Sequence, residues 1–369
     1  MLYKVILKPT GSFYFGGENS FGEARSKGNN DNDIANNYFA KRSAYFAKGE
    51  MFPQQTQVLG MLRKEIMRKE GCLKLHNSGE CIKKGKKKDA VELVGLNWKD
   101  GLGKIVKLSP LFLEKDDEIF IPSPFDKDLS MCKEKGRSYI NGRKSEAVYA
   151  FEKDDVKDNA ENKMFGAKDH LSEAYISDKS TLNLHDIFTA VTRIGNQSLN
   201  YTDDDEEQLY KVTSYRLDNT FKFVCYLQLE EDIFSCDTSS AYKSIVELGG
   251  ERSTFKITVT KTNKVTDYQS IYDAYNKSET RIVLLSDSYI TNDIFASVDV
   301  VLSQKNVFRT ITSNKDTFSK SSKLILLKKG TVFYAKDNNA KAICDLIEKE
   351  ESFRKIGYNQ YIKIDKKEG

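Results

Sequence analysis

The chain has 369 residues, of which 39% are hydrophobic and 30% are charged. At roughly 100–200 residues per domain, this length predicts two domains, each able to bury a core. No apolar run approaches the roughly 18 residues that a membrane helix needs, and the lysine-interrupted N-terminus lacks the pattern of a signal peptide. The six cysteines include no C-x-x-C pair, which favours reduced thiols and a cytoplasmic location.

The net charge of +4 is small, but the basic residues are concentrated toward one end. Residues 1–100 contain 18 Lys/Arg and 11 Asp/Glu, whereas the remainder contains 40 and 43. This asymmetry is compatible with an anionic partner bound near the N-terminus. It is also compatible with a single solvated lysine run at Lys83–Lys88, for which a solvated loop is favoured over a loop that contacts phosphate.

Residues that carry common catalytic chemistry are scarce. The three histidines, His76, His170 and His185, lie in polar stretches and in no zinc-binding motif. The sequence contains no Walker-type glycine loop and no G-x-S-x-G motif. Because histidine is the commonest general base near neutral pH, its scarcity favours a binding protein over an enzyme, with no metal and no cofactor.

The first half of the chain predicts strands around one amphipathic helix. Leu2–Pro9 predicts a strand, and an aromatic strand end then leads into a glycine loop at 13–22. Helical spacing of apolar residues predicts a helix that starts at Thr56 as N-cap, and Gly60 within it predicts close packing against another backbone. The other predictions are strands at 105–113 and 118–124, and an inter-domain stretch of short helices or loops at 126–170.

The pattern is sharper from residue 185 onward. Ala241–Leu248 predicts a short helix ended by glycines, and Asn339–Lys349 predicts a helix with one apolar face. Strands are predicted at 211–217, 220–229, 254–260, 281–286, 324–327, 331–334 and 358–364.

Both halves therefore combine a few strands with one or two helices. The economical packing of such elements is an antiparallel sheet backed by helices. This predicts an α+β fold of two ferredoxin-like (RRM-like) domains with inserted loops, over residues 1–165 and 166–369. A sheet of this kind leaves one face or edge free for a strand of nucleic acid.

Four segments, in chain order, match motifs of one known family. They are Phe52–Arg63, with Phe-Pro and Gly-x-Leu-Arg; Thr192–Asn196 with Glu206–Tyr210 and Tyr215–Leu217; the Gly-Gly-Glu-Arg turn in Leu248–Ser253; and the strand Leu327–Tyr334. Together they resemble the RAMP superfamily of CRISPR effector proteins, and most closely the handle-binding third subunit of the type III-B (Cmr module) complex. The chain departs from the family in the glycine-rich loop near the C-terminus, of which Gly357 remains.

The resemblance implies a non-catalytic subunit that caps the foot of the effector and binds the repeat-derived 5′ handle of the guide RNA (crRNA). It also implies two protein partners, the large polymerase/cyclase-type subunit and the first backbone RAMP subunit. Arginine binds phosphates and splayed bases, and glycine-rich loops present backbone N–H groups to phosphate. The candidate RNA-binding residues are Gly17, Asn19, Arg63, Arg193, Arg216, Gly249, Gly250 and Arg252.

Each candidate also has a purely structural interpretation. The arginines could pair with local acids such as Glu251 or the acidic run 203–207, and the two glycines could admit another strand. Aromatic residues near the first glycine loop could stack on bases, but the core is the commoner place for aromatics on a strand. These aromatic residues are Phe13, Tyr14, Phe15 and Phe21.

Two other functions stay open at this point. The first is a metal-independent endoribonuclease that processes CRISPR repeats, with His170 or His185 as general base near Lys168 or Lys179. The second is the equivalent subunit of a type III-A or III-D complex, which would share the fold and the role but have different partners.

Overall fold

The fold comes from a computed structural model of the chain. The structure describes residues 1–16, 45–76, 79–83, 85–99, 101–134, 138–140, 143–145, 148–153, 171, 173–197, 208–235, 240–273, 280–308, 311–314, 317–320, 323–336 and 339–365. Among the described helices, none combines the length and the apolar composition that crossing a membrane requires.

Strands predominate over helices. The strands are β1 (Leu2–Pro9), β2 (Phe15–Gly16), β3 (Tyr45–Glu50), β4 (Leu73–His76), β5 (Gly79–Ile82), β6 (Ile105–Leu108), β7 (Phe112–Lys115), β8 (Glu118–Pro122), β9 (Leu129–Glu134), β10 (Ser138–Ile140), β11 (Arg143–Ser145), β12 (Val148–Lys153), β13 (Ala174–Ile176), β14 (Thr181–Asn183), β15 (Phe188–Gln197), β16 (Gln208–Leu217), β17 (Lys222–Leu229), β18 (Tyr242–Glu247), β19 (Thr254–Lys261), β20 (Arg281–Leu284), β21 (Val298–Leu302), β22 (Lys305–Phe308), β23 (Ile311–Asn314), β24 (Thr317–Lys320), β25 (Leu324–Leu327), β26 (Val332–Ala335) and β27 (Tyr361–Ile364). The helices are α1 (Gln55–Lys69), α2 (Lys87–Val94), α3 (Leu184–Ile187), α4 (Tyr268–Asp273), α5 (Ala340–Glu348) and α6 (Glu351–Lys355), with a 3₁₀ turn at Asn292–Ala296.

The chain divides into two compact units, each assembled from separate stretches of sequence. The first unit contains residues 1–117, 185–263 and 310–319, and the second contains 118–184, 264–309 and 320–369. The sequence predicts two contiguous domains, 1–165 and 166–369. The two divisions differ because strands distant in sequence pair with each other: β1, at the N-terminus, lies between β17 and β19.

The first unit is built on an antiparallel sheet. Its strand order is β7–β17–β1–β19–β18, with β6 also paired to β17. In β1, Tyr3, Val5 and Leu7 are fully buried and alternate with partly exposed residues, so one face of this strand points into the core. A second sheet, β15–β16–β3–β2, joins β16 to β3 in parallel and is otherwise antiparallel.

Aromatic rings fill the core of this first unit. Phe13 lies 5.9 Å from Phe223 and 5.7 Å from Phe255 between ring centroids, and Phe15 stacks on Phe255 at 5.8 Å. These rings are at most 1% exposed. Burying large aromatic surfaces of this kind is a main source of folding free energy.

Helix α1 confirms the predicted amphipathic helix, but two details differ. The N-cap is Gln54 rather than Thr56, because Gln54 and Gln57 hydrogen-bond reciprocally in a capping box. Gly60 is exposed, and a Cβ placed there would meet nothing within 4 Å. The predicted close packing at Gly60 is therefore wrong. The buried face of the helix is formed by Val58, Leu62 and Ile66 instead.

The second unit contains an antiparallel sheet of order β21–β26–β20–β27, with α5 packed on it. Ile343 and Ile347 of α5 join Ile282, Leu284 and Phe333 in one buried cluster. Strand β13 lies between β14 and β8, and β9–β12, β10–β11 and β22–β25 form two-stranded sheets. The Asn339 side chain accepts a hydrogen bond from the Ala342 amide at 3.3 Å and caps α5.

Three predicted elements are wrong. Residues 241–248 form strand β18 rather than a helix, because apolar spacing that suits a helix also suits an edge strand, and pairing with β19 decides the outcome. The stretch 105–113 contains two strands, separated where Pro110 cannot donate a backbone hydrogen bond. The described parts of 126–170 are mainly strands, β9–β12.

The α+β class with mainly antiparallel sheets is confirmed. The remaining predicted strands and the C-terminal helix are confirmed within a few residues at their ends. That each half is a ferredoxin-like domain stays a prediction.

A buried ion pair crosses the core of the second unit. Asp126 and Arg281 are both fully buried and form an ion pair, and the Tyr334 hydroxyl donates to Asp126 Oδ2 at 2.5 Å. Arg281 and Tyr334 are direct neighbours in the β20–β26 register. Burial, followed by the Asp126 charge, raises the pKa of Tyr334, so its hydroxyl stays a donor.

We expect Asp126→Asn to destabilise the chain by about 3–5 kcal/mol, because it leaves the Arg281 charge buried without its counter-charge. Urea unfolding followed by circular dichroism measures this change. The control is Glu92→Gln, which breaks an exposed ion pair with Lys88 (3.9 Å) and should leave the curve unchanged. Equal curves for wild type and Asp126→Asn would contradict the role given to the pair.

A second polar network ties the β4–β5 hairpin to α1. Arg68 Nε and Nη2 each donate to a carboxylate oxygen of Glu80 at 2.7 Å, and Arg68 also pairs with Glu65. Glu65 accepts a hydrogen bond from the Tyr242 hydroxyl of β18 at 2.5 Å. The hydrogen bond from Arg68 lowers the pKa of Glu80 below its ordinary value of 4.5.

This pKa shift predicts acid sensitivity of the hairpin. Because the folded-state pKa of Glu80 is lower than the unfolded value, its contribution to stability is present above pH 4.5 and is lost as the pH falls through the folded-state pKa. Amide exchange itself slows on acidification, so the quantity to follow is the protection factor, in which this intrinsic pH dependence is divided out. The protection factors of the β4–β5 amides should fall as the pH drops below 4.5. In Glu80→Gln this extra pH dependence should disappear, and its persistence would show that other groups cause it.

Candidate nucleic-acid interface

Two of the family-like segments meet at residues 13–16. The Phe13 amide donates to the Tyr215 carbonyl at 2.8 Å, and the Tyr215 amide donates to the Phe13 carbonyl at 2.9 Å. The next residue, Tyr14, accepts a hydrogen bond from the Gly250 amide at 2.8 Å. This short stretch of backbone therefore connects the neighbour of Arg216 with the turn that carries Arg252.

Gly249 allows this close approach. Its φ is +93°, and a Cβ on it would lie 2.4 Å from the Tyr14 carbonyl oxygen. Gly250 also lies against Tyr14, since a Cβ there would be 3.1 Å from the ring. Of the two interpretations left open by the sequence, the structure thus favours the approach of another backbone segment at Gly249. These glycines position the turn.

The turn itself is strained. The Ser253 amide donates to the Gly250 carbonyl at 3.0 Å, and both residues between them, Glu251 and Arg252, have φ of +53°. Left-handed backbone costs roughly 1–2 kcal/mol for a residue with a side chain. The Ser253 hydroxyl holds the conformation, because it donates to the Gly250 carbonyl at 2.6 Å and accepts from the Tyr14 amide at 2.9 Å. Arg252 is thereby held exposed at the tip.

Arg193 and Arg216 lie on one face of the β15–β16 hairpin. Arg193 is opposite Val212 and Arg216 is opposite Thr189 in the antiparallel register. Val212 and Arg216 are four residues apart on β16, so both arginines have the same orientation and are separated by about 13 Å along the strands. Both are exposed.

The three arginines are free of acidic partners within the part of the chain that the structure describes. Neither Arg193, Arg216 nor Arg252 forms an ion pair or a hydrogen bond with another described side chain. The structural alternative, pairing with Glu251, is therefore not observed. The other suggested acids, residues 203–207, lie outside the described residues.

Arg63 occupies a different environment. It lies on α1 with its Nη2 3.4 Å from the Gly101 carbonyl oxygen, and burial lowers its pKa. Its guanidinium is half-buried against the loop before β6, whereas the other three arginines are exposed. The environment of Arg63 therefore differs from that of Arg193, Arg216 and Arg252, the other arginines predicted to bind RNA.

The other candidates are either buried or outside the described residues. Phe13, Tyr14 and Phe15 are buried, which confirms the expectation that they belong to the core. Gly17, Asn19 and Phe21 lie outside the described residues, as do His170 and Lys168 of the nuclease hypothesis. His185 is exposed. Within the described ranges, no group of three or more His, Cys, Asp or Glu side chains is placed to hold a metal ion.

Ser253, whose hydroxyl holds the turn, is not among the residues predicted for the site. The sequence does contain an indication of this role, since the serine hydroxyl often hydrogen-bonds to the backbone of its own turn. The pairing of Phe13 with Tyr215 had no local signal, because the partners are 202 positions apart in sequence.

Comparison with known proteins identifies the family. The sequence pattern of the CRISPR-associated protein family Cas_Cmr3 matches residues 36–365. The chain belongs to this family. It is therefore a Cmr3-type subunit of a type III-B CRISPR effector, which confirms the resemblance found in the sequence. None of the curated proteins compared with the chain matches it.

One solved structure shares the fold at low sequence identity, and two others match with lower scores. A chain from "Cryo-EM structure of the Type III-B Cmr-beta bound to cognate target RNA" is 14% identical, with 97% of this chain and 96% of that chain covered and a TM-score of 0.50. A chain from "Cryo-EM structure of the Type III-B Cmr-beta bound to cognate target RNA and AMPPnP, state 1" is 15% identical, with 97% of this chain and 96% of that chain covered and a TM-score of 0.49. A chain from "Crystal structure of Csm3-Csm4 subcomplex in the type III-A CRISPR-Cas interference complex" gives 10% identity, 90% and 92% coverage, and a TM-score of 0.34.

The contrast between Gly249 and Gly60 gives a direct test of the turn. We expect Gly249→Ala to lower the free energy of unfolding by more than about 1 kcal/mol, because the new Cβ meets the Tyr14 carbonyl and φ is positive. Gly60→Ala, in an exposed helix interior, should instead stabilise the chain by up to about 1 kcal/mol. Urea titrations of both variants measure the two effects, and a neutral Gly249→Ala would remove the structural role assigned to that glycine.

Proposed function

We propose that this chain binds the repeat-derived 5′ handle of the guide RNA within the type III-B effector, with Arg193, Arg216 and Arg252 contacting it. The observation that carries the proposal is the set of three exposed arginines without acidic partners among the described residues. Backbone hydrogen bonds through Phe13 and Tyr14 hold two of their segments in a fixed relation.

The chemistry of these side chains suits a single-stranded RNA backbone. A guanidinium donates two parallel hydrogen bonds to a phosphate and can also stack on an unpaired base. Since the arginines have no counter-charge among the described residues, binding of phosphate breaks no ion pair in the described part of the chain. Backbone strain often occurs at functional sites, and the left-handed Glu251–Arg252 pair is strain of that kind.

Binding without turnover is the second part of the proposal. Arginine stays protonated at neutral pH and therefore cannot serve as a general base. The three arginines can hold and orient an RNA but cannot take a proton from a 2′-hydroxyl. We accordingly propose a non-catalytic role for the chain. The large polymerase/cyclase-type subunit and the first backbone RAMP subunit are its proposed protein partners, at the foot of the effector.

The test uses the purified full chain and an RNA with the 5′ repeat-derived end found on its own guide RNA. The triple variant Arg193→Ala, Arg216→Ala, Arg252→Ala should weaken binding at least about tenfold in fluorescence anisotropy, because charged hydrogen bonds are lost. The slope of log K against log salt should fall by about 2, as expected when three phosphate contacts to a single strand disappear.

The control removes the same charge from exposed lysines of the second unit, through Lys336→Ala, Lys341→Ala and Lys349→Ala, and should bind as wild type does. Equal affinity of the arginine variant and wild type would refute the site. A handle affinity no higher than that for a scrambled RNA would refute the recognition of the handle. Specific cleavage of a repeat-containing transcript in EDTA would refute the non-catalytic role.

A further inference from the structure

One face of the first sheet has an exposed basic area that the arginine site does not include. In the register of β1, β19 and β18, Lys8, Lys256 and Ile245 lie side by side in one row across the three strands. The next row is Ile6, Thr258 and Lys243. We refer to these two rows as the lysine face.

The lysine face is on the side of the sheet opposite the side chains of Tyr242 and Val246. Tyr242 and Val246 of β18 alternate with its exposed residues, and the Tyr242 hydroxyl bonds to Glu65 of α1. Lys8, Lys256 and Lys243 are exposed, and Ile245 is 62% exposed. Because Ile245 is this exposed, its apolar side chain is in contact with water in the isolated chain.

The charges of the lysine face are not compensated within the described residues. Lys8 and Lys256 are directly opposite each other on neighbouring strands, where like charges repel and destabilise the sheet. None of the three lysines forms an ion pair with a described acid. Glu247, two positions after Ile245 on β18, pairs with Lys64 of α1 at 3.4 Å. An anionic partner would remove this repulsion.

The adjoining strand β18 has an open backbone edge. Among the described strands it pairs with β19 alone and ends the sheet. An open edge presents unpaired N–H and C=O groups and can accept a further strand. The open edge, the exposed isoleucine and the basic rows are contiguous, because each row runs from β1 across β19 to β18 at the edge.

These features fit a protein strand better than RNA. Sheet faces that bind single-stranded RNA stack bases on aromatic side chains, whereas the described residues in the two rows include no aromatic. RNA would pair with the lysines but would leave Ile245 and the backbone edge uncovered. An acidic strand satisfies all three features at once, since its carboxylates meet the lysines, its apolar side chains cover Ile245, and its backbone pairs with β18.

We propose that the lysine face and the β18 edge bind an acidic strand from another protein subunit of the same effector. This surface is separate from the arginine site, and its occupation does not depend on binding of the RNA handle.

The experiment titrates the full chain, without RNA, against each of the other purified protein subunits of the effector in turn. Hydrogen exchange of the β18 amides should slow at least about tenfold with one of them, since added backbone hydrogen bonds protect amides. The charge-reversal variant Lys8→Glu, Lys243→Glu, Lys256→Glu should bind that subunit at least about tenfold more weakly. The milder Lys→Gln triple variant should show a smaller loss in the same direction.

The matched control reverses three exposed lysines elsewhere in the same unit, through Lys74→Glu, Lys87→Glu and Lys88→Glu, and should bind as wild type does. Unchanged exchange of β18 with every subunit would overturn the proposal, as would unweakened binding by the charge-reversal variant. Protection of β18 by the handle RNA alone would assign the surface to RNA instead. Loss of handle affinity in the arginine variant with β18 still protected would separate the two sites and support both.

Discussion

The hydrogen bonds of Phe13 and Tyr14 are the constraint on which the candidate RNA site depends. One residue pairs with Tyr215, next to Arg216, and the following residue pairs with Gly250, two positions before Arg252. The side chain of Phe13 is buried among other aromatic rings, so the same residue that links the segments is fixed in the core. The positions of Arg216 and Arg252 therefore depend on the stability of the core and not on flexible loops. Gly249 makes this possible, because a side chain there would meet the Tyr14 carbonyl.

Much of the fold was predictable because many of its elements have strong local patterns. The alternation in β1 and the apolar stripe of α1 identify each element from its own residues. Strand β18 was not predictable in this way, because Tyr242, Ile245 and Val246 suit both a helix and a strand, and pairing with β19 decides between them. The two units were not predictable as contiguous domains, because β1 pairs with strands more than 200 residues away. Local sequence carries little information about such pairings.

The candidate site was likewise predictable only in part. Arg193, Arg216 and Arg252 were selected from motifs, and the structure leaves them exposed without described acidic partners. Arg63 came from an equally good motif, yet its guanidinium is half-buried beside the Gly101 carbonyl. A motif identifies a residue type at a position on a helix, but the direction in which that helix faces depends on packing against distant strands. Ser253, which holds the strained turn, was overlooked because a serine beside glycines is common in ordinary turns.

Among its described residues, the first unit leaves positive charge uncompensated in two places, and this pattern fits a subunit of a larger assembly. A chain selected for stability alone would pair Lys8 and Lys256 with acids or replace one of them, and would place glycine or asparagine at Glu251 and Arg252. Where charge matters to the fold itself, this chain does pair it: Asp126 with Arg281, Glu80 with Arg68, and Glu114 with Lys4 at 2.6 Å. The unpaired cations of these two described surfaces are at exposed positions, where each costs little in the isolated chain because water screens it. When an anionic partner displaces that water, each cation forms a stronger ion pair than it could at the exposed surface. These charges therefore add little to the stability of the isolated chain and more to the affinity for the partner.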